Sequence, residues 1–134
     1  MTAIQTTFFD YAALDSETRI VVQQRTTEIK ALMKRAASDI IEIGQKLFEV
    51  KARIGHGNFG GWLSAEFEWS YPTAARFMQV AEQFKSINLI NLNVAPSALY
   101  LLAAPSTPEA VRVDAIARAE DGETITYSAA RDLI

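Results

Sequence analysis

A chain of 134 residues has the usual size of a single domain, and 49% hydrophobic with 22% charged residues is the composition of a folded protein rather than a disordered one. The net charge of −3 argues against strong general attraction to nucleic acid, and the absence of cysteine excludes disulfide staples and thiolate metal sites. No stretch reaches the roughly 18 apolar residues of a membrane span and the start lacks a signal-like apolar run, so a cytoplasmic location is expected. Charge is unevenly spread. From Arg25 to Lys85 nine Lys or Arg face seven Asp or Glu, while the acidic excess sits in Asp10, Asp15 and Glu17 and between Glu109 and Asp132. A mild basic face in the middle of the chain follows.

Residues 1–15 show no helical period but carry Phe8, Phe9 and Tyr11, and read as an arm that lays aromatic rings on the body or holds a partner. A long helix is predicted over 16–54, with Ser16 as its cap and Glu17 suited to the positive end of the helix dipole. The stretch contains no proline and a single glycine, Gly44. Val22 and then Ile29, Met33, Ala36, Ile40, Ile43, Leu47, Val50 and Ile54 follow steps of four and three, the seam of a coiled coil. One helix, or two joined near Ala36–Ser38, would place them on one stripe. That stripe can pack on its own domain or pair two copies, and a homodimer through Ile29, Met33, Ile40, Ile43, Leu47 and Val50 is the expectation.

Gly55-His56-Gly57 ends the long helix, since glycine tolerates the left-handed conformation of a helix stop. Shorter helices are predicted at 60–67, 71–86, 96–103, 108–121 and 127–134, forming a compact domain over 55–134. Pro96 and Pro108 suit first turns, Thr107 and Thr126 suit caps, and Gly122 closes its helix. Val94 and Thr124–Thr126 are too short to build a sheet. The fold class is all-α: a long N-terminal helix followed by a bundle of short ones. The last predicted helix runs into the terminus at Asp132-Leu133-Ile134, so either a shortened chain or a naturally truncated one is expected.

Residues 60–79 carry the functional signal, a helix-turn-helix. Leu63, Ser64 and Phe67 share a face of its first helix, with Ser64 as the small residue at the crossing. Glu68 occupies a turn position that often has φ > 0, Ser70 can cap the second helix through its hydroxyl, and Ala74, Phe77 and Val80 point inward. The outward face then enters the major groove of duplex DNA. It offers Ser70, Tyr71, Thr73, Arg76 and Gln79, with Lys85 beyond. Arg76 alone is built for bidentate guanine contact, while Tyr71 and Thr73 can hold phosphates. One copy would read DNA weakly, so a dimer is needed.

Catalysis is not expected, and neither is a cofactor or a metal. His56 is the only histidine. Asp39, Glu42 and Glu49 are explained as solvated helix charges that pair at i,i+3 or i,i+4. Gly60-Gly61 lacks the phosphate-loop pattern. Trp62, Trp69, Phe59, Phe67, Tyr71 and Phe77 crowd one region, as core or as a base-stacking platform. The rival to DNA binding is a protein-interaction or assembly module that uses the same helices to hold a partner protein.

Gly44-Gln45-Lys46-Leu47, Gly55-His56-Gly57 with Phe59 and Trp62-Leu63, and Thr73-Ala74 with Arg76-Phe77-Met78 resemble a bacterial domain of unknown function, number 3102 in the usual catalogue, frequent in cyanobacteria, phages and mobile elements. Ala95-Pro96-Ser97-Ala98-Leu99-Tyr100-Leu101-Leu102 and Gly122-Glu123-Thr124-Ile125-Thr126 also resemble its cyanobacterial members, and the resemblance runs from about Asp10 onward. The central part is similar to the helix-turn-helix of ParB/KorB-like partition proteins. That similarity implies that a segment like Thr107 to Ile134 braces the DNA-reading unit. Glu68 stands where many relatives carry glycine.

Overall fold

The computed structural model describes residues 9–134. Among them lie six α-helices: α1 (Ser16–Ile54), α2 (His56–Phe67), α3 (Tyr71–Gln83), α4 (Pro96–Ala103), α5 (Glu109–Glu120) and α6 (Tyr127–Leu133). The all-α reading holds, and α1 is one continuous helix. Phe8 and the first part of the predicted arm lie outside the described residues. The rest of the arm forms a short 3-10 turn at Tyr11–Ala13, where Phe9 and Tyr11 pack edge to face with ring centres 5.0 Å apart. The chain divides into two units, residues 1–32 and 33–134, and α1 runs through both.

Helix starts follow from local hydrogen bonding. At the head of α1 the cap is Asp15 rather than Ser16. The Thr18 backbone N–H and hydroxyl donate to its two carboxylate oxygens at 2.8 and 3.0 Å, so one carboxylate serves two donors, one at each oxygen. Those bonds hold the Asp15 carboxyl below its ordinary pKa. Thr126 caps α6 as expected, accepting from the Ala129 N–H at 3.0 Å. Gly122 follows α5 with φ +99°.

Thr107 has a different task from the one its position suggests. Pro108 takes the cap position of α5, and the buried Thr107 hydroxyl turns back to donate to the Leu101 carbonyl at 2.6 Å. Arg112 donates to the Leu102 carbonyl at 2.7 Å. Two carbonyls in the last turn of α4 thus receive side-chain donors from across the loop, Leu101 in addition to the Ala104 N–H at 3.3 Å.

The core of residues 33–134 forms two clusters. Ala37 and Ile40 of α1 join Val80 and Phe84 with Leu99 and Leu102 of α4, Ala115 and Ile116 of α5 and Ala130 of α6. Leu47 of α1 joins Phe59 and Leu63 of α2 with Ala74 and Met78 of α3. Phe77 packs against both. Ahead of α4, Val94 forms an isolated parallel bridge with Ile125, with Ile125 N–H donating to the Asn93 carbonyl at 2.7 Å and Ala95 N–H to the Ile125 carbonyl at 2.9 Å. Among the described residues no helix is long and apolar enough to cross a membrane.

Candidate nucleic-acid interface

The break between α1 and α2 needs only one glycine. Gly55 has φ +86° and ends α1, while the Asn58 side-chain amide donates to the Ile54 carbonyl at 2.9 Å. Helix α2 therefore starts at His56, four residues ahead of the expected 60, and His56 and Gly57 are helical. Glycine's low helix propensity hid this turn from the sequence; the burial of Phe59 beneath it supplies the compensation.

From Phe67 to Tyr71 a short connection joins α2 to α3. Glu68 has φ 56° and ψ 34°, and its N–H reaches the Leu63 and Ser64 carbonyls. A left-handed non-glycine residue is strained by roughly 1 kcal/mol. We therefore expect Glu68→Gly to stabilise the fold by about 1 kcal/mol, seen as a higher urea midpoint at unchanged slope. Ser70 occupies the cap position of α3 but its side chain makes no bond to a backbone N–H. Its hydroxyl lies 3.3 Å from that of Thr73.

Ser64, the small residue expected where α2 and α3 cross, is exposed, and the close approach found is a different one, of α1 to α3 at the buried Gly44. A Cβ on Gly44 would collide with the Phe77 carbonyl oxygen and come within 2.6 Å of the Ala81 Cβ. Helix α3 is thus laid directly on α1. Ala74 and Val80 face inward as expected, fully buried, and Phe77 is half-buried.

The outward residues divide by what they touch. Tyr71, 41% exposed, accepts a hydrogen bond from Lys51 Nζ at 2.9 Å. That ammonium lies 5.3 Å from the Tyr71 ring centre and 5.9 Å from that of Phe59. His56 meets Tyr71 edge to face at 5.9 Å. Arg76 sits over the Tyr100 ring at 5.7 Å; burial raises the Tyr100 phenol pKa, and the guanidinium acts in the opposite direction. Thr73 and Gln79 are half-buried. Lys85 lies beyond the end of α3 and pairs with Glu82 at 2.9 Å.

Two further cations of the expected basic face also lie beside carboxylates. Lys46 pairs with Glu42 at 3.9 Å and Arg53 with Glu49 at 3.5 Å. Lys51 and Arg76 instead meet aromatic rings. Lys51 was readable only as one of several α1 charges, because its partner Tyr71 lies on another helix.

Ring contacts run through the whole motif, from His56 and Tyr71 through Phe59, Trp62, Phe67, Trp69 and Phe77 to Tyr100, with centres 4.8 to 6.1 Å apart. Phe59 is the buried centre, whereas Phe67 is 45% exposed. The aromatic crowd is therefore partly core and partly surface. No group of three or more His, Cys, Asp or Glu able to hold a metal occurs among the described residues.

The proposed oligomerisation seam is also divided. Ile40 and Leu47 are buried inside residues 33–134, Met33 and Val50 are half-buried, and Ile29 and Ile43 are exposed. The seam drifts because a straight helix turns every 3.6 residues and a strict 3.5 repeat does not stay on one face.

A family model described as "Protein of unknown function (DUF3102)" matches residues 17–117. The chain belongs to this family. The match takes in most of α1, all of α2 to α4 and most of α5, so the close crossing at Gly44 and the turn at Glu68 both fall within the DUF3102 segment. No curated protein and no solved structure matches the chain.

Proposed function

We propose that this DUF3102 chain is a non-catalytic DNA-binding accessory protein or regulator that acts as a homodimer and meets duplex DNA with the head of α3. The observation that carries the reading is the placement of Lys51 against Tyr71 beside a helix that bears Arg76 and no carboxylate before Glu82. Helix α2 up to Ala65 is equally free of acidic residues. Lys51, Arg76, Thr73 and the Tyr71 hydroxyl thus provide two cations and two hydroxyls on or against α3, with Glu66 and Glu68 before that helix and Glu82 near its end. Such groups suit phosphate contact more than base readout, which makes this a weak, salt-sensitive binder. The similarity to ParB/KorB-like helix-turn-helices supports the same reading, and a cytoplasmic, bacterial or phage setting accords with it.

The test is a gel shift with random duplex at low salt. Lys51→Ala and Arg76→Ala should each weaken binding about three- to tenfold and reduce the slope of log K against log salt by roughly 0.9. Failure of the parent protein to retard duplex at about 50 mM salt overturns the proposal. Equal retardation by both variants removes α3 from it. The ion pairing of Lys46, Arg53 and Lys85 favours the rival reading, an assembly module that holds another protein. A parent protein that captures no DNA but forms a stable protein complex would establish that alternative.

A further inference from the structure

Residues 16–32 form two-fifths of α1, yet none of residues 9–32 is buried. Ile20, Val21, Ile29 and Leu32 are 46% to 63% exposed. Seven of these 17 residues are Val, Ile or Thr, which are poor helix formers. Even alanine-rich helices shorter than about 12–15 residues are marginal in water. This part of α1 is held only by its continuity with residues 33–54, and its exposed apolar side chains would gain from a covering partner.

The sequence of the exposed stripe specifies that partner. Val21, Arg25, Glu28 and Leu32 follow one another at steps of four, three and four along α1. Two copies laid antiparallel about a point between Thr26 and Thr27 bring Val21 opposite Leu32 and Arg25 opposite Glu28, with Val22 and Ile29 flanking the seam. Within one copy Arg25 and Glu28 already form an ion pair of 2.7 Å, so the antiparallel match completes a four-charge ring. A parallel match would set Arg25 against Arg25 and Glu28 against Glu28. The acidic start at Asp10, Asp15 and Glu17 would likewise meet its own copy in the parallel case, and be carried away from it in the antiparallel one.

We infer that residues 16–32 of α1 are a self-recognition surface whose occupant is the same segment of a second copy, running antiparallel. This rests on the homodimer reading above but not on DNA binding. It moves the dimer contact off the predicted seam, where Ile40 and Leu47 are already buried within their own chain.

The chain has no native cysteine, so single engineered thiols report pairing directly. Separately tagged full-length V21C and L32C proteins, mixed and oxidised, should give the mixed disulfide in several-fold excess over either like-with-like product. Arg25→Glu should weaken the dimer about tenfold in sedimentation equilibrium, and R25E/E28R should recover most of that loss. A dimer whose disulfides join like with like overturns the antiparallel surface and leaves the homodimer reading standing. So does a dimer that R25E does not weaken. A parent protein that sediments as a monomer overturns both, whatever its behaviour with DNA.

Discussion

Replacing Gly44 with alanine will lower the stability of the helical bundle by about 2 kcal/mol, although the same exchange in an open helix gains roughly 1 kcal/mol. The sign is reversed by what the new methyl meets. Its neighbours are the Phe77 backbone carbonyl and the Ala81 Cβ, and neither can rotate away. Relief requires α3 to lift from α1, which loosens Ala74, Met78 and Val80 together. Gly44→Val adds two further carbons at the same place and should leave little folded protein. Gly60→Ala is the internal comparison. Nothing lies within 4 Å of its added carbon, so it should match or exceed the parent in a urea titration. If Gly44→Ala unfolds at the parental midpoint, the close crossing of α1 and α3 is wrong.

Phe59→Ala should cost about 3–5 kcal/mol, the usual range for emptying a buried aromatic site. The ring is fully buried among Leu47, Leu63, Ala74 and Met78. It also supports the surface, because Tyr71 and Lys51 both lie against it. Phe59→Leu keeps most of the volume and should cost only about 1–1.5 kcal/mol, yet removes the ring beneath the Lys51 ammonium. The two variants therefore separate packing from electrostatic support. Phe67→Ala, at a half-exposed position, should cost under about 1 kcal/mol. Denaturant midpoints measure all three. Fluorescence of Trp62 and Trp69, which stack on Phe59 and Phe77 respectively, reports local loosening.

The elements were legible wherever a local cause set them. Apolar spacing marked α1, Pro96 opened α4, and Gly122 and Thr126 bracketed the gap between α5 and α6. The turn at Glu68 was legible too, because a position requiring φ > 0 is fixed by its neighbours in the chain. Long-range causes were not. Gly44 reads as a lone glycine in a long helix, and only the packed structure reveals that α3 crosses α1 there. The start of α2 was missed because His56 and Gly57 owe their helical state to Phe59 burial rather than to their own propensity. Lys46, Arg53 and Lys85 read as a basic face when counted, but each lies next to a carboxylate on its own stretch of chain. Arg76 and Tyr100 belong to different helices, and no spacing rule could have joined them. The α1 seam was legible as a repeat, but a repeat does not say whether its own chain or a second copy covers it.

The bridge between Val94 and Ile125 has a consequence for the last residues of the chain. The family match stops at residue 117, inside α5. The partner of Val94 and the Ala130 side chain that fills the core both come later. The segment matched by the family is thus shorter than the segment that builds the core. Ala95 and Ile125 are remote in sequence, yet both amides are bonded across one contact, so their hydrogen exchange should be protected to a similar degree. The last eighth of the polypeptide, beyond residue 117, thus supplies both the bridge partner of Val94 and a core side chain, and trimming it should loosen the entrance to α4.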